Sequence, residues 1–186
     1  VRSPKPDNIS QLIDTPAMPD RRRNQGKVKA ATSRRTPKVA QPRPKITIEV
    51  VNRQKVLRLA ASPLKSVARF VLRAEGVRSA HIELALVDDA TIRELHRRFM
   101  KLDIPTDVLT FPLHEPNEPL SGQIVLSVET AARVGPAYGL SAEEEVLLYA
   151  IHGLLHLCGY DDETVGSARR MKRRQETLLR NVPRLD

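Results

Sequence analysis

Residues 141–159 read Ser-Ala-Glu-Glu-Glu-Val-Leu-Leu-Tyr-Ala-Ile-His-Gly-Leu-Leu-His-Leu-Cys-Gly, and this stretch predicts the central helix of the fold. Ser141 and Glu144 form a capping box, in which each side chain bonds the backbone N–H of the other residue. Gly159 is a typical helix terminator, because glycine adopts a positive φ without strain. The sequence therefore predicts a helix from Ala142 to Cys158, and its largely apolar composition indicates that it is buried.

A pair of histidines on this helix predicts a metal site. His152 and His156 are four residues apart, so their Cβ atoms lie about 5–6 Å apart on one helix face, where both imidazoles can bind one metal ion. After Gly159 the chain must turn, and Asp162 can fold back as a third ligand, with Asp161 as its rival. Such a set leaves one tetrahedral position open for water, which is typical of catalytic zinc sites. We expect one Zn²⁺ per chain; the alternative is that both histidines are ordinary surface or core residues.

The residue after the first histidine argues against a zinc peptidase. The peptidase helix has the pattern His-Glu-x-x-His, whose glutamate is the general base. Gly153 occupies that position here. A glycine inside a helix costs about 1 kcal/mol relative to alanine, so it indicates a close approach of another part of the chain.

The rest of the chain predicts an α+β fold, which is a single domain with a small four-stranded mixed sheet packed by about five helices. Ser62 and Asp89 are predicted N-caps, Ser127 and Glu129 can cap a further helix, and the Gly-Pro pair at residues 135–136 should interrupt that helix. The predicted strands are residues 46–50, 81–87, 108–111 and 123–126, and the helices other than the central one are residues 63–75, 90–101, the segment after Ser127, and 164–179.

The net charge of +9 comes entirely from the first 45 residues. Residues 1–45 contain 12 Lys and Arg, three Asp and seven of the 14 prolines, whereas residues 46–186 contain 19 basic and 19 acidic residues. We therefore expect a disordered basic extension before a domain spanning residues 46–186. Three interpretations of the extension stay open: a solvated segment produced by an overcalled start site, an arm that contacts RNA phosphates, and an organellar transit peptide.

The remaining composition excludes several protein classes. Cys158 is the single cysteine, which excludes a disulfide framework and a cysteine-rich zinc site. No apolar run approaches the roughly 20 residues that a membrane-spanning helix needs. We therefore expect a cytoplasmic protein with no membrane partner.

Three motifs resemble the YbeY endoribonuclease family. The segment from His152 to Asp161 resembles the family's metal-binding signature, which continues with a third histidine where this chain has Asp162. Residues 105–112, Pro-Thr-Asp-Val-Leu-Thr-Phe-Pro, resemble its second motif, and residues 121–127, Ser-Gly-Gln-Ile-Val-Leu-Ser, its third. Met171 also matches, so the resemblance covers about residues 46–180.

The resemblance implies a zinc-dependent endoribonuclease specific for single-stranded RNA. Its expected roles are ribosomal RNA processing, including maturation of the 3′ end of 16S rRNA, and ribosome quality control, and its expected partners are ribosomal RNA and the small ribosomal subunit. His152 would act in catalysis as well as in metal binding.

The chain departs from the family pattern at several positions. The family's catalytic Arg is replaced by Met100, its Asn by His96 and its Asp by Gln123. Arg97 lies one turn before Met100 and is the candidate catalytic replacement, the alternative being that Arg97 and Arg98 form a solvated helix face. Two other functions therefore stay open: a ribosome-assembly or RNA-binding factor with weakened cleavage, and a metal-dependent hydrolase of another substrate.

Overall fold

Four strands form the central sheet of the computed structural model, which describes residues 45–182. They are β1 (Ile46–Asn52), β2 (Ala80–Val87), β3 (Val108–Pro112) and β4 (Leu120–Ser127). The order across the sheet is β1-β2-β4-β3; β2 is parallel to both β1 and β4, and β3 is antiparallel to β4. The predicted α+β fold with a small mixed sheet is confirmed. The predicted basic extension lies outside the described residues, apart from Lys45.

The described part of the chain contains five α-helices, which pack around this sheet. They are α1 (Ala61–Ala74), α2 (Asp89–Met100), α3 (Val128–Val134), α4 (Ala142–Leu157) and α5 (Val165–Asn181), and a short 3-10 helix (Gly135–Tyr138) interrupts the chain between α3 and α4 as the Gly-Pro pair predicts. Helix α4 contacts α1, α3, α5, β3 and β4, so it is the central helix. Within residues 45–182, no helix combines the length and the apolar character that crossing a membrane requires.

The alternation of side chains along β2 and β4 divides the core into two layers. Leu84 and Ile124 face α1, α4 and α5 in the larger cluster, whereas Ala85 and Val125 face α2 in the smaller one. All four are at most 1% exposed, so both faces of the central strands are covered. The predicted metal-binding motif lies on α4 and therefore on the side of the larger cluster.

Two glycines allow α4 to lie unusually close to the sheet. A Cβ atom added at Gly153 of α4 would stand 2.6 Å from Ile124 Cγ2 and 3.0 Å from Thr110 Oγ1. A Cβ added at Gly122 of β4 would stand 2.6 Å from the Leu157 side chain of α4. The helix and the sheet therefore interlock, with one glycine on each of them. This close approach explains why residue 153, in the interior of a helix, is a glycine.

Two predicted N-caps are wrong: the N-cap of α1 is Ala60 rather than Ser62, and that of α2 is Asp88 rather than Asp89. Helix α1 begins at Ala61, so Ser62 lies inside its first turn and the N-cap residue makes no side-chain hydrogen bond. Helix α2 is capped by Asp88, whose side chain accepts a hydrogen bond from the Thr91 N–H at 2.8 Å. Asp89 is the first residue of the helix rather than its cap, so its carboxylate can accept hydrogen bonds from other elements.

Hydrogen bonds join the starts of α2 and α3 at the end of the sheet. Ser127 caps α3 as predicted, by accepting a hydrogen bond from the Thr130 N–H. The Glu129 carboxylate accepts a hydrogen bond from the Asp89 N–H at 2.8 Å, so it serves α2. The Asp89 carboxylate in turn accepts hydrogen bonds from Ser127, Thr130 and Arg133. Burial acts to raise the pKa of Asp89, but these three partners outweigh it and hold that pKa below its usual value.

Gly153→Ala should lower the free energy of unfolding by about 1–3 kcal/mol, the usual cost of overpacking a core. The added methyl would meet the branched side chain of Ile124, which the surrounding core holds in place. Gly166→Ala in α5 is the matched control, because its nearest neighbour would be 3.9 Å away. Urea unfolding of both variants checks this expectation, and a Gly153→Ala protein as stable as wild type would show that the close approach is not required.

Candidate metal centre

His152 and His156 project from α4 into a cavity beside the edge strand β3. The cavity has a volume of about 480 Å³. Its walls come from α4, from the turn after that helix, and from the segment that leads into β3. The lining residues are Met100, Thr106, Asp107, Val108, Leu109, Thr110, Pro112, His152, His156 and Asp162.

The three predicted ligands converge at one end of this cavity. The Nε2 atoms of His152 and His156 are 3.0 Å apart. Asp162 Oδ2 lies 3.7 Å from His152 Nε2, and Asp162 Oδ1 lies 3.9 Å from His156 Nε2. Ligands about 2.0–2.1 Å from a tetrahedral zinc ion stand about 3.3 Å from one another, so that geometry needs a slight separation of the two histidines and a slight approach of Asp162.

The hydrogen bonds of the two rings favour a cation between them. His156 Nδ1 is 3.1 Å from the Tyr160 backbone oxygen, and His152 Nδ1 is 3.3 Å from Gln175 Oε1. Both oxygens accept hydrogen bonds, so each neutral ring carries its proton on Nδ1 and presents a lone pair at Nε2. Two lone pairs that face each other at 3.0 Å repel unless a cation lies between them. The donor set therefore fits a metal ion.

The two adjacent aspartates have different surroundings. Asp161 Oδ1 accepts a hydrogen bond from the Glu163 N–H at 3.1 Å. Hydrogen bonds from Ser167 and then from Glu163 hold the pKa of Asp161 below its usual value, so this carboxylate serves the turn into α5. Asp162 is the aspartate whose oxygens group with the two histidines.

Helix α5 supports both rings through successive residues. Gln175 faces His152 directly. Arg174 Nε donates to Glu75 Oε1 at 2.6 Å, and the Tyr160 hydroxyl donates to Glu75 Oε2 at 3.2 Å. Burial and then the Glu75 carboxylate raise the pKa of the Tyr160 hydroxyl, which keeps it a proton donor. Glu75 thus holds the residue whose carbonyl orients His156. Sequence spacing missed these residues, because they come from distant parts of the chain.

Gly153 and Cys158, which lie close to the two histidines in the chain, restrict which reactions and which ligands are possible at the centre. A glutamate at position 153 would collide with Ile124, so the fold leaves no room for the peptidase general base. Burial and then Glu75 raise the pKa of Cys158 to about 11, so its sulfur is a neutral thiol, which is a poor metal ligand.

Three residues of α2 that bear on the family resemblance differ in whether they line the cavity. Met100 lines it and is 47% exposed. Arg97 is not among the lining residues. Its guanidinium donates two hydrogen bonds to the Glu94 carboxylate, from Nη2 at 2.7 Å and from Nε at 2.9 Å. His96 is buried and its Nδ1 lies 2.8 Å from the Ile104 backbone oxygen, so it holds the loop that follows α2. A catalytic role for Arg97 stays a prediction and requires it to leave Glu94.

Comparisons with known proteins give one consistent relationship. The family model described as Endoribonuclease YbeY matches residues 46–183. The Endoribonuclease YbeY of Moorella thermoacetica is 44% identical over 133 residues, covering 65% of this chain and 85% of that protein. The Syntrophotalea carbinolica protein of the same name is 34% identical over 142 residues, covering 73% and 95%. A solution structure of a Thermotoga maritima protein is 28% identical, with a TM-score of 0.54 over 73% of this chain and 89% of that one.

Asp162→Ala should weaken zinc binding by at least the roughly 10–100-fold that follows loss of support around a metal, because it removes a ligand rather than a supporting group. Asp161→Ala is the matched control, and it should keep the zinc affinity of wild type while losing some stability at the turn. Zinc titration against a chromogenic chelator measures both affinities. Equal zinc affinity in the two variants would contradict the assignment of Asp162.

Gln175→Ala should lower zinc affinity by about 10–100-fold although Gln175 is not a ligand in this arrangement. The loss follows because His152 would no longer be held with its proton on Nδ1. Glu176→Ala changes the next residue, which is exposed on the same helix, and should leave zinc binding unchanged. The same chelator competition measures both variants, and an unchanged affinity in Gln175→Ala would show that His152 is oriented without it.

Proposed function

The chain belongs to the YbeY endoribonuclease family, and on that premise we propose that it is a zinc-dependent enzyme that cleaves single-stranded RNA during ribosomal RNA processing. The convergence of His152, His156 and Asp162 at one end of an open cavity carries the proposal. Its specific task is maturation of the 3′ end of 16S rRNA and ribosome quality control, on the small ribosomal subunit in the cytoplasm. The family relationship supports the RNA substrate, and the donor set supports the metal.

The residues of the site have separable roles in this reaction. A zinc ion, when bound, would supply Lewis-acid chemistry that stabilises negative charge on a phosphoryl oxygen and makes water a better nucleophile near neutral pH. His152, His156 and Asp162 would hold the ion, and the Tyr160 carbonyl and Gln175 fix the two rings with Nε2 directed to the centre. The three side chains converge at one end of the cavity, whose remaining space would receive the RNA phosphodiester.

The edge of β3 provides backbone groups for the substrate. In the antiparallel pair with β4, the Asp107–Ser127 and Leu113–Ser121 pairs are hydrogen-bonded. Because such pairs alternate along an antiparallel ladder, Thr110 directs its N–H and C=O away from β4 and towards the cavity. These groups suit a single strand, whose phosphates and bases can be splayed apart to enter a concave site.

A second candidate function rests on Met100. This residue lines the cavity where the family usually has an arginine, so the site lacks one positive charge that would neutralise a phosphoryl oxygen. An RNA-binding assembly factor with weakened cleavage would bind the same RNA and leave it intact. Arg97 restores cleavage only if it exchanges Glu94 for the substrate.

Wild-type protein should cleave a single-stranded RNA oligonucleotide, leave the corresponding duplex intact, and lose activity with a chelator. His156→Ala should lower the cleavage rate by at least about 100-fold, because the metal loses a ligand. Arg97→Ala should lower it by about tenfold or more if this guanidinium contacts the phosphate, whereas the neighbouring control Arg98→Ala should not.

Gel analysis of end-labelled RNA, with a parallel binding assay, separates the two functions. Binding of RNA by the zinc-loaded wild type without any cleavage would favour the assembly factor. Cleavage by His156→Ala at the wild-type rate would contradict the metal-dependent mechanism altogether.

A further inference from the structure

A second cavity lies beside the metal centre and shares two residues with it. Its volume is about 340 Å³, within the roughly 300–1,000 Å³ typical of small-molecule sites. His152 and Asp107 line both cavities, so they form the wall between them. A group bound here would lie next to whatever occupies the metal centre.

A buried carboxylate lines this second cavity without a full set of partners. Glu145 lies in α4, is only 4% exposed, and has no hydrogen-bond partner at Oε2 within the described residues. The Tyr149 hydroxyl hydrogen-bonds to the same side chain. Burial, followed by the charges of Glu145 and Asp107, raises the pKa of Tyr149 and keeps its hydroxyl protonated. A buried carboxylate oxygen without a donor is costly, so this position favours a ligand that donates a hydrogen bond.

The other walls favour a flat, largely apolar ligand. Leu140 and Leu148 line the cavity, and Tyr138 stands at its rim in the 3-10 helix. Tyr138 is 77% exposed, although a large aromatic side chain is usually more buried. An exposed ring beside an apolar cleft is a surface on which a nucleobase can stack.

We propose that this second cavity binds a nucleobase that carries an amino group, from the nucleotide adjacent to the phosphodiester at the metal centre. The base stacks on Tyr138 and donates its amino hydrogens to Glu145. This inference rests on the proposed RNA substrate and adds the base preference of the same enzyme.

The acceptors of the cavity set the order of bases. Guanine offers adjacent N1–H and N2–H donors to one carboxylate, and cytosine and adenine each offer one exocyclic amine. Uracil has no amino group, and its single N–H lies between two carbonyl oxygens that the carboxylates of Glu145 and Asp107 repel. The expected preference is therefore guanine first and uracil last.

The first experiment measures binding without cleavage. Calorimetric titration of the four nucleoside 5′-monophosphates into the zinc-loaded protein should give the tightest binding for GMP and the weakest for UMP, with a difference of about tenfold or more, the effect of a hydrogen bond to a charged group. Glu145→Gln should remove this difference. Glu143→Gln, an exposed position on the same helix, should leave it unchanged, and Tyr138→Ala at the exposed rim should weaken all four nucleotides.

The second experiment measures cleavage of oligouridine strands that contain a single G, C, A or U at one internal position. Wild type should cleave next to G at least about tenfold faster than at the all-uridine sequence, and Glu145→Gln should flatten this preference.

Cleavage without base preference in wild type and Glu145→Gln alike would overturn the base site and leave the proposed function intact. A protein that cleaves no RNA but keeps the GMP preference would sink the proposed function and not this site. Binding of Mg²⁺ that depends on Glu145, with equal affinity for all four nucleotides, would replace the base by a cation. If Glu145→Gln does not fold, an unchanged nucleotide affinity in Tyr138→Ala overturns the proposal.

Discussion

The close contact of α4 with β3 and β4 is the constraint on which the rest of the structure depends. Gly153 has no side chain at the point where Ile124 and Thr110 approach the helix, and Gly122 has none on the strand beneath Leu157. This interlocking restricts both the height and the rotation of the helix, because a Cβ at either glycine would force the neighbouring side chains to shift. His152 and His156 flank the contact, so the packing of the core decides where the imidazoles meet the edge of β3.

The chain beyond α4 completes the centre by returning over it. Gly159 adopts a positive φ of 92°, which turns the chain so that the Tyr160 carbonyl and Asp162 reach the histidines. The Arg174–Glu75 ion pair, with its side chains 30% and 10% exposed, attaches this turn and α5 to the end of α1. A partly buried pair of this kind restricts movement more than an exposed one does. The centre is therefore supported by three helices, although its proposed ligands come from one helix and one turn.

Local patterns predicted most of the fold, since strands and helices are determined largely by periodicity and end signals. The capping box at Ser141 and Glu144 and the pair of histidines are short-range features, and the structure places both as predicted. The hydrogen bonds that join the starts of α2 and α3 could not be predicted, because Glu129 and Asp89 are 40 residues apart and meet only through the sheet. Glu145 and Gln175 were missed for the same reason, as each gains its meaning from a cavity that forms only after the helices pack.

The departures from the family pattern differ in how the surrounding structure accommodates them. Gln123 lies beside Glu83 across the β2–β4 ladder, and its amide donates to that carboxylate at 3.2 Å. An aspartate at position 123 would place two carboxylates together in a buried part of the sheet, so the neutral amide fits Glu83 better. His96 likewise bonds the loop that it covers. Met100 has no such local reason, since its apolar side chain is half exposed at the cavity into which His152, His156 and Asp162 converge. Packing thus explains the first two departures, and the third bears on the chemistry of the cavity.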